Sequence, residues 1–137
     1  MIGRCANVAD SRFNGNTGAV MRATGGLEHL LPEGVAAQKS VADDGWVVTA
    51  PVGSFEGNTW GLHDMAGNVA EWTRSLPLEY PYAEGDGRNA VNAGGRRVVR
   101  GGSFFDPPAS CRPSQRLDYP GWQRVFNVGF RVVCEDN

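Results

Sequence analysis

Glycine and proline punctuate this chain so densely that long regular elements have little room: 19 glycines and 8 prolines fall within 137 residues. Glycine frees the backbone and proline removes a donor, so each tends to end a helix or strand. Apolar residues still make up 41% of the chain, enough for one core at a length that suits a single domain over residues 1–137. The composition therefore predicts a loop-rich globule, neither a helical bundle nor a disordered tail.

Charge narrows the function classes. A formal charge of −2 with 20% charged residues leaves no basic stripe, which argues against nucleic acid as a partner. No run approaches the ~18 apolar residues that would span a bilayer. The segment Met1-Ile2-Gly3-Arg4-Cys5 lacks the apolar stretch of a signal peptide, and the compartment stays unassigned. Cys5, Cys111 and Cys134 form neither a CxxC pair nor a metal-finger spacing. A Cys5–Cys134 link and buried free thiols are both open readings.

Regular structure is sparse. Leu27, Leu30, Leu31 and Val35 have rough helical spacing after Gly25-Gly26, but Pro32 limits any helix, and residues 12–42 read as a surface insertion. Val47–Thr49 and Pro51–Phe55 read as irregular strand and turn, and Val69–Thr73 as a short strand. Residues 74–95 read as a long loop. Arg97–Arg100 and Phe130–Cys134 are valine-rich and bounded by glycine, which predicts two strands. His29 and His63 are the two histidines, neither in an HExxH setting, and no GxSxG elbow or P-loop occurs.

Two blocks carry a resemblance: Asn58–Trp72 (NTWGLHDMAGNVAEW), and Arg97–Arg131, which opens RVVRGGSF and closes NVGFR. Together they resemble the C-terminal half of the formylglycine-generating enzyme (sulfatase-modifying factor) family. The resemblance spans roughly residues 40–134 plus a short motif at Asn7. It implies an α+β fold of the C-type lectin-like kind, rich in loops, with short antiparallel strands.

The resemblance also implies two structural calcium ions. One would take the Asp64 and Glu71 side chains with the Gly67 and Val69 carbonyls. The other would take the Asn7 and Asp44 side chains with the Val8 and Trp46 carbonyls. Calcium favours six to eight oxygens drawn from such mixtures. The plainer alternative is that these carboxylates and amides only cap turns.

In the enzymes of that family, Gly-Gly-Ser is followed by two cysteines five positions apart, a soft thiolate pair for copper(I). Counting from Gly101-Gly102-Ser103, the first cysteine position holds Asp106 and the second Cys111. A carboxylate is a hard donor, so copper oxidase chemistry is not expected. Between Ser103 and Gly129, aromatics mix with small polar residues and show no period, the residue mix of a binding paratope. The frame RVVRGGS…NVGFRVV resembles the variable proteins of diversity-generating retroelements, which suggests a prokaryotic or phage origin.

That likeness implies a variable ligand-binding segment over 103–128. Its contact residues would be Phe104, Phe105, Asp106, Ser110, Gln115, Leu117, Asp118, Tyr119, Trp122, Val125, Phe126 and Asn127. The expected function is non-catalytic binding of a protein or other macromolecule, with Tyr119 and Trp122 as the main anchors. The alternatives are a copper oxidase acting on a sulfatase cysteine through Cys111, or a structural accessory domain. Core and turn formation is the competing reading for any single aromatic of the segment.

Overall fold

A computed structural model describes residues 6–9 and 43–134. Cys5, His29 and the 12–42 insertion lie outside these residues. Among them the regular elements are four short strands and one 3-10 turn: β1 (Ala70–Trp72), β2 (Arg96–Arg100), the 3-10 turn Pro108–Cys111, β3 (Leu117–Pro120) and β4 (Val128–Gly129). No helix among them is long and apolar enough to cross a membrane.

The strands form one mixed sheet in the order β3-β2-β1-β4. β2 is central because Val98 and Val99 point to opposite faces and both are buried. It pairs antiparallel with β1, matching Trp72 to Val99, and with β3, matching Arg97 to Tyr119. β4 adds in parallel, setting Ala70 beside Val128.

The expected strands at 69–73 and 97–100 are present. The one expected at Phe130–Cys134 is not: Phe130, Val132 and Val133 are 77%, 86% and 80% exposed, and the strand stops at Gly129. Valine fits a strand only where a neighbour pairs with it, and no partner lies beside these residues among those described. Val47–Phe55 is bend and turn, closed by Ser54 N donating to the Pro51 carbonyl at 3.2 Å.

Two small buried clusters form among the described residues. Ala9 packs with Phe104 and Phe105, flanked by Val47 and Val48; Ala6 and Val8 pack with Cys111 and Ala66. The short segment at residues 6–9 is thus wedged between the calcium-type loop and the Gly-Gly-Ser loop. Much of the remaining backbone is irregular, so side chains must satisfy its polar groups. Asn68 does part of this at the centre of the loops. Its side chain accepts from Ala50 N at 2.9 Å and donates to Ala50 O at 3.2 Å. Its main chain donates to Asn7 O at 2.7 Å and accepts from Phe104 N at 2.9 Å. It does so at a φ of 64°, a left-handed conformation that asparagine tolerates better than most residues.

Candidate functional site

The Gly101-Gly102-Ser103 turn places Asp106 and Cys111 against the 6–9 segment. Gly102 has a φ of 67°, and a Cβ there would stand 2.9 Å from the Cys111 Cα, so only glycine lets Cys111 tuck beneath the turn. The thiol is buried, and its pKa is pushed up to about 12, first by loss of water and then by the Asp106 charge. Asp106 closes the turn: its carboxylate accepts from Ser103 N at 2.9 Å and from Ser103 Oγ at 2.5 Å. Its carbonyl accepts from Ala9 N at 3.0 Å. Asp106 acts here as a turn cap.

The predicted contact strip separates into an inner and an outer set. Phe104 and Phe105 are 3% and 6% exposed, which corrects their placement on a displayed surface. Their rings lie edge to face at 6.1 Å in the core, because the turn offers these two apolar side chains only the interior. Asp106 and Asn127 are likewise engaged internally. The Asn127 amide donates to Ser103 Oγ at 2.9 Å, and its carbonyl accepts from Ala70 N at 3.0 Å. Ser110 and Gln115 are half-buried turn residues whose main-chain N–H groups donate to Pro107 and Arg112.

The outer set sits on β3 and the loop behind it. Trp122 is 83% exposed, with Leu117 and Phe126 at 38% and 42%. Phe126 meets Phe105 edge on at 4.9 Å, so the core fixes its base while its other side faces water. Tyr119 is half-buried with its ring edge on Trp72 at 6.1 Å. Its phenol pKa is raised by burial and by Asp106. Asp118 pairs with Arg96 across β2 and β3. Val125 is half-buried and begins the turn into β4. Leu117, Asp118 and Tyr119 thus lie on the paired backbone of β3, and Trp122 and Phe126 on the loop that follows.

The calcium-type residues are brought together in two places. Asp44 bridges Val8 N at 3.0 Å and Trp46 N at 2.8 Å, so Asn7, Val8, Asp44 and Trp46 meet. The Asn7 amide donates to Val48 O at 2.7 Å, while its Oδ1 is buried without a hydrogen-bond partner. At the other place, Asp64 Oδ2 accepts from Gly53 N at 2.7 Å, and its Oδ1 is again buried and unpartnered. A buried oxygen left unmatched costs roughly 1–3 kcal/mol. The two side-chain oxygens with this defect among the described residues belong to the two places where a hard cation is expected.

Asp64, Val69 and Glu71 also line a cavity of about 390 Å³ with His63, Phe130 and Arg131. Among the described residues no three His, Cys, Asp or Glu side chains cluster as metal ligands. A cation held here would therefore need carbonyl and amide oxygens too, the mixture calcium accepts. Asn7 Oδ1 and Asp64 Oδ1 are the buried oxygens left open to such an ion.

Sequence reasoning missed Arg131. Its guanidinium grips Glu71 with two nitrogens at 2.6 and 2.8 Å and donates to His63 O at 3.0 Å. Glu71, and after it the Asp64 charge, raise the Arg131 pKa. Any cation using Glu71 would share it with this arginine. Asn68 was missed as well. Its signal was its place between Gly67 and Val69, where the loop must turn through positive φ.

A family model for the sulfatase-modifying factor enzyme 1-like domain matches residues 23–136. The chain belongs to this family. It is 33% identical over 105 residues to a formylglycine-generating enzyme of Mycobacterium tuberculosis, covering 66% of this chain and 34% of that protein. Among solved structures, PvdO from Pseudomonas aeruginosa aligns over 68% of this chain and 40% of its own, with a TM-score of 0.53 and 28% identity. Treponema denticola variable protein 1 aligns over 61% of this chain and 31% of its own, with a TM-score of 0.49 and 31% identity. The chain spans about a third of the length of the formylglycine-generating enzyme it matches. Membership confirms the α+β, loop-rich C-type lectin-like fold.

Proposed function

We propose that this domain recognises a ligand and does not oxidise one. A C-type lectin-like scaffold stiffened by calcium would offer the exposed part of the 103–128 segment to a protein or other macromolecule, as in a diversity-generating retroelement variable protein. The observation that carries this reading is the state of Asp106 and Cys111. Soft copper(I) is held by thiolates, and the oxidase pattern of the resembling enzymes places two of them after Gly-Gly-Ser. The position of one is filled by a carboxylate already accepting two bonds from Ser103. The other is a single thiol, buried against Ala6 and Val8.

The outer residues suit recognition. Trp122 and Phe126 supply apolar area, and Asp118, paired with Arg96, supplies a polar group on β3. Tyr119 is held by Trp72 and the β2–β3 pairing, so ordering it on binding costs little entropy. A few such aromatics commonly carry most of an interface's affinity. The inner residues Phe104, Phe105, Asp106 and Asn127 would set the shape of the platform.

Calcium would be held by Asn7, Asp44 and the carbonyls of Val8 and Trp46, and by Asp64, Glu71 and the carbonyls of Gly67 and Val69. Its contribution when bound is a double positive charge that neutralises carboxylates and joins loops. The test of the binding role lies in the coding DNA. A second, near-identical copy of the stretch encoding residues 103–128 is expected nearby, differing where that copy carries adenine, beside a reverse transcriptase gene. A neighbourhood holding neither contradicts the reading.

A further inference from the structure

Beside β2, three arginines line one small cavity separate from the one at Asp64. It has a volume of about 130 Å³, and Thr73, Tyr80, Tyr82, Arg88, Arg100 and Arg116 are among its lining residues. Arg88 is 5% exposed, bonded through Nε to Asp86 at 2.7 Å, and lies over the Tyr82 ring at 4.6 Å. Arg116 lies over the Tyr80 ring at 4.2 Å and donates to the Leu78 carbonyl at 2.9 Å. Arg100 donates to the Tyr80 hydroxyl at 3.0 Å and to the Pro113 carbonyl at 2.7 Å.

We propose that this cavity binds a doubly charged tetrahedral oxyanion of the phosphate class. Three positive groups meet one carboxylate, Asp86, which leaves two charges unbalanced. Neither Arg100 nor Arg116 has a carboxylate partner among the described residues. The functional groups lining the site are mainly donors. The Tyr80 phenol accepts from Arg100 and the Tyr82 phenol accepts from Asn89 at 3.1 Å, so each has its own hydrogen to give.

Size agrees with charge. At ~30 Å³ for each water in the liquid, the cavity has room for about four waters, enough for a phosphoryl group. It is too small for the ~300–1,000 Å³ of a typical organic ligand. Guanidinium forks match the oxygen spacing of such anions. Arg100 of β2 and Arg116 just before β3 also hold the 76–88 loop through Tyr80 and the Leu78 carbonyl, while Arg88 closes that loop on itself through the Glu79 carbonyl. Tethering to carbonyls needs donors only. It does not account for two uncompensated charges converging on one hollow.

The test is titration of the full chain with inorganic phosphate at fixed ionic strength against chloride, read by unfolding temperature and by amide NMR shifts. Saturable stabilisation is expected, with shifts concentrated at Thr73, Tyr80, Arg88, Arg100 and Arg116. Arg100→Gln and Arg116→Gln should each weaken binding about tenfold, the size of one lost charge-assisted bond. Phenyl phosphate forms a second arm: binding equal to phosphate marks a phosphoryl group carried on a larger ligand, and binding of phosphate alone marks the free anion. Acetate should bind at least tenfold more weakly than phosphate. No stabilisation beyond chloride, or shifts confined to the Arg131 side, overturns the proposal. The wild-type shift map decides this even if an arginine variant fails to fold.

Discussion

Gly67→Ala tests how the calcium-type loop is joined to the 6–9 segment. Gly67 has a φ of 74°, and a Cβ there would lie 2.9 Å from the Asn7 carbonyl carbon and 3.1 Å from Asn7 N. The left-handed backbone alone costs alanine roughly 1–2 kcal/mol. Relieving the clash moves Asn7 away, which breaks Asn68 N to Asn7 O and Asn7 Nδ2 to Val48 O, both 2.7 Å. At about 0.5–1.5 kcal/mol each, these bring the expected loss to about 2–5 kcal/mol. That is a large share of the roughly 5–15 kcal/mol that holds a domain folded. Gly61→Ala is the control, because Gly61 has nearly the same φ, 73°, and nothing within 4 Å of an added Cβ. Its loss should stay within roughly 1–2 kcal/mol. Urea unfolding of both variants beside the parent measures the difference. Equal losses, within about 0.5 kcal/mol, would refute the claimed close approach of Asn7.

Other expectations concern the strip, the thiol and the metal. Trp122→Ala should change stability by less than about 0.5 kcal/mol, while Phe104→Ala should cost about 3–5 kcal/mol; the two midpoints in urea check the division of the strip into exposed and buried parts. Cys111 has its folded pKa raised from 9.0 to about 12. Its contribution to stability is therefore complete below pH 9 and is lost as pH climbs toward 12. At pH 10 the loss should be roughly 1.4 kcal/mol relative to pH 8. Cys111→Val should remove that part of the pH profile, and an unchanged profile would contradict burial of the thiol. Calcium at 100 times its dissociation constant should add about 2.7 kcal/mol of stability per site. Asp64→Ala or Asn7→Ala should each remove one site, as seen by calorimetric titration.

What the sequence made legible follows physical lines. β2 could be read because its valines are flanked by glycine and both faces of the strand are covered. β3 could not: Leu117-Asp118-Tyr119-Pro120 has no apolar run, and its strand state comes from pairing with β2. The same contextual rule explains the reverse error at Phe130–Cys134, where strand-forming residues lack a neighbour among the described residues. Within the candidate site, the loss of one thiol at Asp106 was visible from spacing. Its role as the cap on Ser103 was not, because that requires the turn to be seen closed. Phe104 and Phe105 read as paratope residues since aperiodic aromatics look alike whether they face ligand or core. Arg131 was hidden because its partner Glu71 lies 60 residues away in sequence.

The proposed binding role requires the Ser103–Cys111 turn to be architecture, with no redox centre. Copper(I) titration of the fully reduced protein against a competing chelator measures this, with Cys111→Ser run in parallel. The expected result is no stoichiometric tight binding and no difference between the two proteins. One copper bound tightly per chain, abolished by the Cys111 substitution, would contradict it.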